Sequence, residues 1–236
     1  MMAPHLILLP GLGADRRFLT RQLADFPDAI IPPWIPPEKR ETLPHYAERM
    51  AALVSKQLDR PCIVGGVSLG GMVALEMARH LRAGGGGGDG RIEHGARAAV
   101  LISSCTEPSP VHPFLRFCEF ALRPVPERVI SWSLFAAPIV LGRGGTIPRE
   151  DRRLLARMVR EVPLSFIRWG GRAVLEWSGL RDSGIPIRAI HGSRDWVISP
   201  RRVRPDVMIE NGPHVLNISH PREVNAFLRD CLAAAR

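Results

Sequence analysis

Short apolar runs alternate along this chain with longer stretches in which apolar residues recur at helical spacing. The runs His5–Leu9, Ala29–Pro33, Cys62–Val67, Ala98–Ser103, Ile185–His191 and Val203–Glu210 have strand length. Leu43–Leu58, Leu69–Ala83 and Arg222–Ala234 carry the helical period. In the last of these, Val224, Phe227, Leu228 and Cys231 share one face, and Pro221 stands in the first turn, where a helix tolerates proline. Strand and helix in alternation predict an α/β protein: a mostly parallel, doubly wound sheet of about six strands with crossover helices.

The alternation breaks between about Thr106 and Ser183. There Phe114–Leu122, Glu127–Ala137, Arg149–Val162 and Leu164–Trp177 read as four consecutive helices, separated by prolines at 113, 124, 126, 138, 148 and 163. The expected organisation is a core made of residues 1–106 and 181–236, with residues 107–180 inserted as a helical cap. The run Gly84–Gly88, followed by Asp89 and Gly90, costs too much backbone entropy to be helix or strand. A phosphate cradle needs a strand before it and a helix after it. Here the order is reversed, so a surface loop is expected.

Composition narrows the class. At 45% hydrophobic and 23% charged residues, the 236-residue chain resembles an ordinary soluble globular protein. No run approaches the roughly 18 apolar residues of a membrane span. The start, Met1–His5, lacks the basic segment of a secretory signal, so the cytoplasm is the expected location. Cys62, Cys105, Cys118 and Cys231 show no ligand-like spacing and read as reduced, structural thiols. The formal charge of +9 rests almost wholly on arginine, Lys39 and Lys56 being the only lysines. Basic residues are not interleaved with aromatics as on a nucleic-acid surface, and no nucleic-acid partner is expected.

The candidate chemistry lies at strand ends. Gly66-Val67-Ser68-Leu69-Gly70 follows a strand and opens a helix, the setting of a strained turn that presents a nucleophilic serine. Gly66 and Gly70 leave the room such a turn needs. Serine requires a neighbouring base, and the chain order for this motif is serine, acid, histidine. Asp195 follows the Ile185–His191 strand and His214 the next one, so with Ser68 all three fall at one edge of the sheet. Asp195 would fix the imidazole tautomer. Glu107, after the Ala98–Ser103 strand, is a rival acid, and His191 a rival histidine better suited to shaping its loop. Pro10-Gly11-Leu12-Gly13 follows the first strand and can turn backbone N–H groups towards the serine. The N–H groups of Leu12 and Leu69 are the expected oxyanion donors. No metal motif or P-loop occurs, and a dinucleotide fingerprint starting at Gly11 fails at Arg16, so neither metal nor cofactor is expected.

Through these motifs, with His191-Gly192-Ser193-Arg194-Asp195 and Gly212-Pro213-His214, the chain resembles the α/β-hydrolase superfamily over nearly its whole length. In form it looks most like the small capped esterases and lyases that include pimeloyl-carrier-protein methyl esterases and the menaquinone-pathway enzyme of this fold. The resemblance implies a parallel sheet flanked by helices and a cap after the family's sixth strand. Two features depart from it: Pro10-Gly11 replaces the usual His-Gly, and the chain begins at what corresponds to the family's third strand. Phe114, Phe117, Phe120, Trp132, Phe135, Phe166, Trp169 and Trp177 either pack the cap onto the core or line an apolar acyl pocket. Arg149, Arg152, Arg153, Arg157 and Arg160 gather on one side of a cap helix, as a solvated face or as a dock for an acidic carrier protein. The expected activity is cleavage of small or medium carboxylic esters through an acyl-enzyme on Ser68. Lactonase, thioesterase, carrier-linked methyl esterase, lyase and a catalytically silent binding module are the alternatives.

Overall fold

A computed structural model of the chain describes residues 3–84, 95–122 and 147–235, with the backbone alone for 82–84 and 118–122. Five strands, β1 (His5–Leu9), β2 (Cys62–Val67), β3 (Ala96–Ile102), β4 (Ile187–Gly192) and β5 (Val207–Ile209), pair in parallel in that spatial order. Strands covered on both faces read as continuous apolar runs, and β2 is buried at every position. The period of two divides their side chains cleanly. Ile7, Leu9, Val64, Ala99 and Leu101 join one apolar cluster, whereas Leu6, Leu8, Ile63, Val67, Val100 and Ile102 join the other.

Two expected strands shrink for reasons visible in their residues. Ala29–Pro33 contracts to a single parallel bridge between Ile30 and Ile7, with Leu8 N donating to Ile30 O at 2.9 Å and Ile30 N to Leu6 O at 2.8 Å. Pro32 and Pro33 have no N–H with which to continue the ladder. Val203–Glu210 shortens to β5 because Pro205 interrupts it, and the Asp206 carboxylate instead accepts the Ala189 N–H at 2.7 Å. The sheet therefore has five strands and a bridged sixth position.

Helices α1 (Thr20–Asp25), α2 (Leu43–Ser55) and α3 (Leu69–Gly84) precede β3, and α7 (Leu216–Ser219) and α8 (Pro221–Ala234) follow β5. Residues of α2 and α3 fill the first cluster and those of α7 and α8 the second, one layer on each face of the sheet. From β1 the chain passes out to Ile30 and returns across β1 to β2. The loops after β1 and β2 thus meet where the strand order reverses, the place in such sheets where ligands bind.

Between β3 and β4 the chain forms α4 (Pro113–Leu122), α5 (Arg149–Glu161) and α6 (Leu164–Glu176). Pro113 opens α4, and Pro148 and Pro163 cap the other two, as their fixed φ allows. The expected helix Glu127–Ala137, Trp132 and Phe135 lie outside the described residues, as do residues 85–94, which hold most of the expected glycine-rich surface loop. On α5, Leu155, Met158 and Val159 are buried while Arg152, Arg153, Arg157 and Arg160 are exposed. On α6, Phe166 and Trp169 are buried, and Trp177 is buried just beyond it. Trp169 Nε1 donates to Glu41 O at 2.9 Å, and Trp177 Nε1 donates to Glu76 Oε1 at 2.7 Å. These three aromatics pack the inserted helices onto the core, whereas Phe114 and Phe117 are exposed. No described helix is long and apolar enough to cross a membrane. Cys62, Cys105 and Cys231 are free and buried, and the Cys118 side chain lies outside the described residues.

Candidate active site

Ser68 occupies the tight turn joining β2 to α3. Its φ of 54° is a left-handed conformation that costs a residue with a side chain energy and persists only where its surroundings enforce it. The enforcement comes from lack of room. A Cβ on Gly66 would strike the Gly70 backbone, and one on Gly70 would meet the Pro10 carbonyl oxygen at 2.2 Å. The Ser68 carbonyl accepts the Gly71 N–H at 2.9 Å and the Ser104 hydroxyl at 2.7 Å, tying the turn to the loop after β3. Ser104 has no motif to announce it; only the adjacency of β2 and β3 could have suggested it.

The loop after β1 lies against this turn. A Cβ on Gly11 would sit 3.7 Å from Ser68 Cβ, and Gly13 takes a φ of 77°. Among the described residues, the N–H groups of Leu12 and Leu69 are engaged by no hydrogen bond. Leu69 opens α3, so its N–H is one of the orphan donors of a helix start, where the helix dipole favours negative charge. Both leucine side chains pack against α6, where a Cβ on Gly170 would strike Leu12. The inserted helices therefore hold the two donor-bearing segments from above.

Asp195 and His214 come from the loops after β4 and β5, and these loops are stitched together. Ser193 N donates to Ile209 O at 2.9 Å, Arg194 N to Gly212 O at 2.9 Å, and Asn211 N to Ser193 Oγ at 2.8 Å. Gly192 and Gly212 pass so closely that a Cβ on Gly192 would overlap the Gly212 carbonyl. The outcome is a buried pair: His214 Nδ1 stands 2.7 Å from Asp195 Oδ2. Asp195 Oδ1 accepts the N–H groups of Val197 and Ile198 at 2.8 and 2.9 Å. Burial by itself raises the Asp195 carboxyl. Attraction to His214 and hydrogen bonds from His191 and His214 outweigh it and hold the group below the usual carboxylate range. An ionised carboxylate only accepts, so Nδ1 of His214 carries a hydrogen, and the basic position of the neutral ring is Nε2. Among the described residues, no hydrogen bond joins Ser68 Oγ to His214.

Of the rivals, Glu107 falls elsewhere and His191 falls beside Asp195. Glu107 is held by the Arg181 guanidinium and by Ser109 Oγ at 2.8 Å, and those two donors lower its carboxyl. His191 is buried, and its Nε2 lies 3.2 Å from Asp195 Oδ2, a contact that its place at a strand end did not reveal. Glu38, Glu41 and His45 bring ligand atoms within 4.8 Å of one another. Arg49 already supplies their cation, at 3.3 Å from Glu38 and 2.9 Å from Glu41.

A cleft of about 570 Å³ opens beside the β1 loop, walled by Pro10, Ala14, Ile31, Trp34, Val162 and Phe166. It runs between that loop, the proline-rich segment after Ile30, and the turn from α5 to α6. Its lining is mostly apolar.

Comparison with known proteins agrees with this architecture. No curated protein sequence matches the chain. A bromoperoxidase from Bacillus anthracis superposes with a TM-score of 0.73 at 16% identity, over 97% of this chain and 92% of that one. The enol-lactonase from Burkholderia xenovorans LB400 gives 0.72 at 13%, over 99% and 92%. An esterase from Exiguobacterium antarcticum gives 0.72 at 11%, over 98% and 93%. At such identities the likeness is one of fold. The sequence itself matches the Alpha/beta hydrolase family over residues 5–227. A match of that extent, carried on a parallel sheet of this order, shows that the chain belongs to the alpha/beta hydrolase family.

Proposed function

We propose that the protein cleaves carboxylic esters of small or medium acyl groups through an acyl-enzyme on Ser68. The observation that carries this reading is the buried Asp195–His214 pair, set at the same sheet edge as a serine held at positive φ. His214 Nε2 takes the Ser68 proton as Oγ attacks the ester carbonyl. The resulting oxyanion meets the N–H groups of Leu12 and Leu69. His214 then returns the proton to the leaving alcohol, and water, activated by the same nitrogen, releases the acid. Asp195 holds the ring in its tautomer and balances the imidazolium formed in each half of the reaction. Preorganised N–H donors of this kind are worth about 3–4 kcal/mol each to the transition state.

The inserted helices 149–176 act in this reading as a cap. Lactones are cyclic esters and fall within the same chemistry. Exposure of the α5 arginines is what any solvated helix face requires, so the stripe adds no acidic carrier protein to the proposal.

Steady-state hydrolysis of 4-nitrophenyl esters from acetate to decanoate, with Ser68→Ala beside wild type, tests the assignment. Turnover by wild type that falls about 10³-fold or more in the variant is the expected result. Equal turnover in the two proteins, or none by folded wild type on esters and lactones alike, overturns it.

A further inference from the structure

Asp195 is gripped by two histidines, and the reaction scheme uses only one. His191, the next-to-last residue of β4, is buried, with Nε2 3.1 Å from the Ile198 carbonyl and 3.2 Å from Asp195 Oδ2. A carbonyl oxygen can only accept, so Nε2 carries the hydrogen, which lies between two acceptors. The second of them is the same oxygen that receives His214 Nδ1–H at 2.7 Å. The other carboxylate oxygen is already occupied by the N–H groups of Val197 and Ile198. We propose that His191 is a positioning residue: its shared N–H fixes Asp195 Oδ2 in line with His214 and takes up part of the charge that would otherwise face His214 alone. The inference rests on reading Asp195 and His214 as the acid–base pair.

Cys105, from the loop after β3, also feels Asp195; burial pushes its thiol up to about 12, so it is neutral. Glu107, which also bears on Cys105, is engaged by Arg181. Removing the His191 donor therefore leaves the full Oδ2 charge to His214. That stabilises the imidazolium, so His214 holds its proton to higher pH and the acid limb of kcat/KM moves upward. The carboxylate also loses a fixed partner, so the ring is aimed less well and kcat falls. A side chain that merely filled space would do neither when replaced by another of similar volume.

The test uses the full chain as wild type, His191→Phe and His191→Gln, read two ways. One is the NMR titration of the His214 ring together with its Nδ1–H resonance; the other is the pH profile of kcat/KM on a 4-nitrophenyl ester. In His191→Phe both the titration and the acid limb should move up by about 0.5–1 unit. Its kcat should fall severalfold at constant KM. His191→Gln keeps an N–H donor and should recover most of both. An unmoved titration in folded His191→Phe, or Phe and Gln variants that behave alike, overturns the proposal. Should the Phe variant fail to fold, His191→Asn, whose amide is too short to reach Oδ2, takes its place against His191→Gln. The NMR titration needs no turnover, so an inactive wild type would defeat the hydrolase reading and still leave the coupling of His191 to Asp195 measured.

Discussion

Asp195 satisfies every demand that burial places on a carboxylate. Four donors reach its two oxygens, and the two histidines among them, His214 first through its charge, reverse the rise in pKa that desolvation alone would cause. A carboxyl lowered in the folded state contributes stability that is fully present above its unfolded value of about 3.9 and is lost as pH falls through its folded value. The acid side of the stability profile should therefore be steeper in wild type than in Asp195→Asn, measured as the urea midpoint at pH 5 and pH 3. At neutral pH the same substitution should lower kcat by about 10³–10⁴-fold, because asparagine can present its amide N–H and favour the wrong imidazole tautomer. Glu107→Gln should leave kcat near wild type, since that side chain pairs with Arg181 away from His214. A kcat loss in Glu107→Gln matching that of Asp195→Asn would make Glu107 the acid.

At the scale of elements, the site is a product of loop lengths and of which strands are neighbours. The β2–α3 turn was legible in the chain because glycine spacing and apolar periodicity both report local structure. The shortening of Ala29–Pro33 was legible only in part: its apolar residues signal a strand, yet Pro32 and Pro33 cannot sustain a ladder. Ser104 and Ser193 were not assigned their contacts, because each acts across a strand pairing that no local pattern encodes, and His191 was not, because its partners Asp195 and Ile198 come from the loop that folds back on it after β4. Ser193 is the clearest case. Its hydroxyl accepts the N–H of Asn211, a residue at a φ of 58°, and so closes the β5 loop over the β4 loop. Ser193→Ala should cost about 1 kcal/mol in urea denaturation and lower kcat more than it raises KM, because the His214 loop loses its tie to the Asp195 loop. An unchanged kcat in that variant would show that the backbone bonds from Ser193 and Arg194 hold the loops unaided.

For the whole molecule, the question is whether the inserted helices form a separate body or part of one core. Trp169 sets its ring 4.1 Å from that of Tyr46 on α2 and donates to the Glu41 carbonyl. Trp177 reaches the buried Glu76 carboxylate on α3, the helix that begins at the candidate nucleophile. Phe166 closes the same aromatic cluster against Trp34. Tyr46, Phe166, Trp169 and Trp177 belong to the apolar cluster that also contains Ile7 and Val64 of the central strands, and Trp34 packs against it, so α6 shares its core with the sheet. Elements that share buried contacts of this kind lose them together, which predicts one cooperative unfolding transition for the chain. Tryptophan fluorescence and far-ultraviolet circular dichroism should then report the same urea midpoint. Trp169→Ala removes a ring that is 4% exposed and leaves a cavity, at a cost of about 3–5 kcal/mol. If the core is shared, that loss lowers the midpoint of both signals equally. If α6 belonged to a separate body, the variant would show an early fluorescence transition while the sheet melted at the wild-type midpoint.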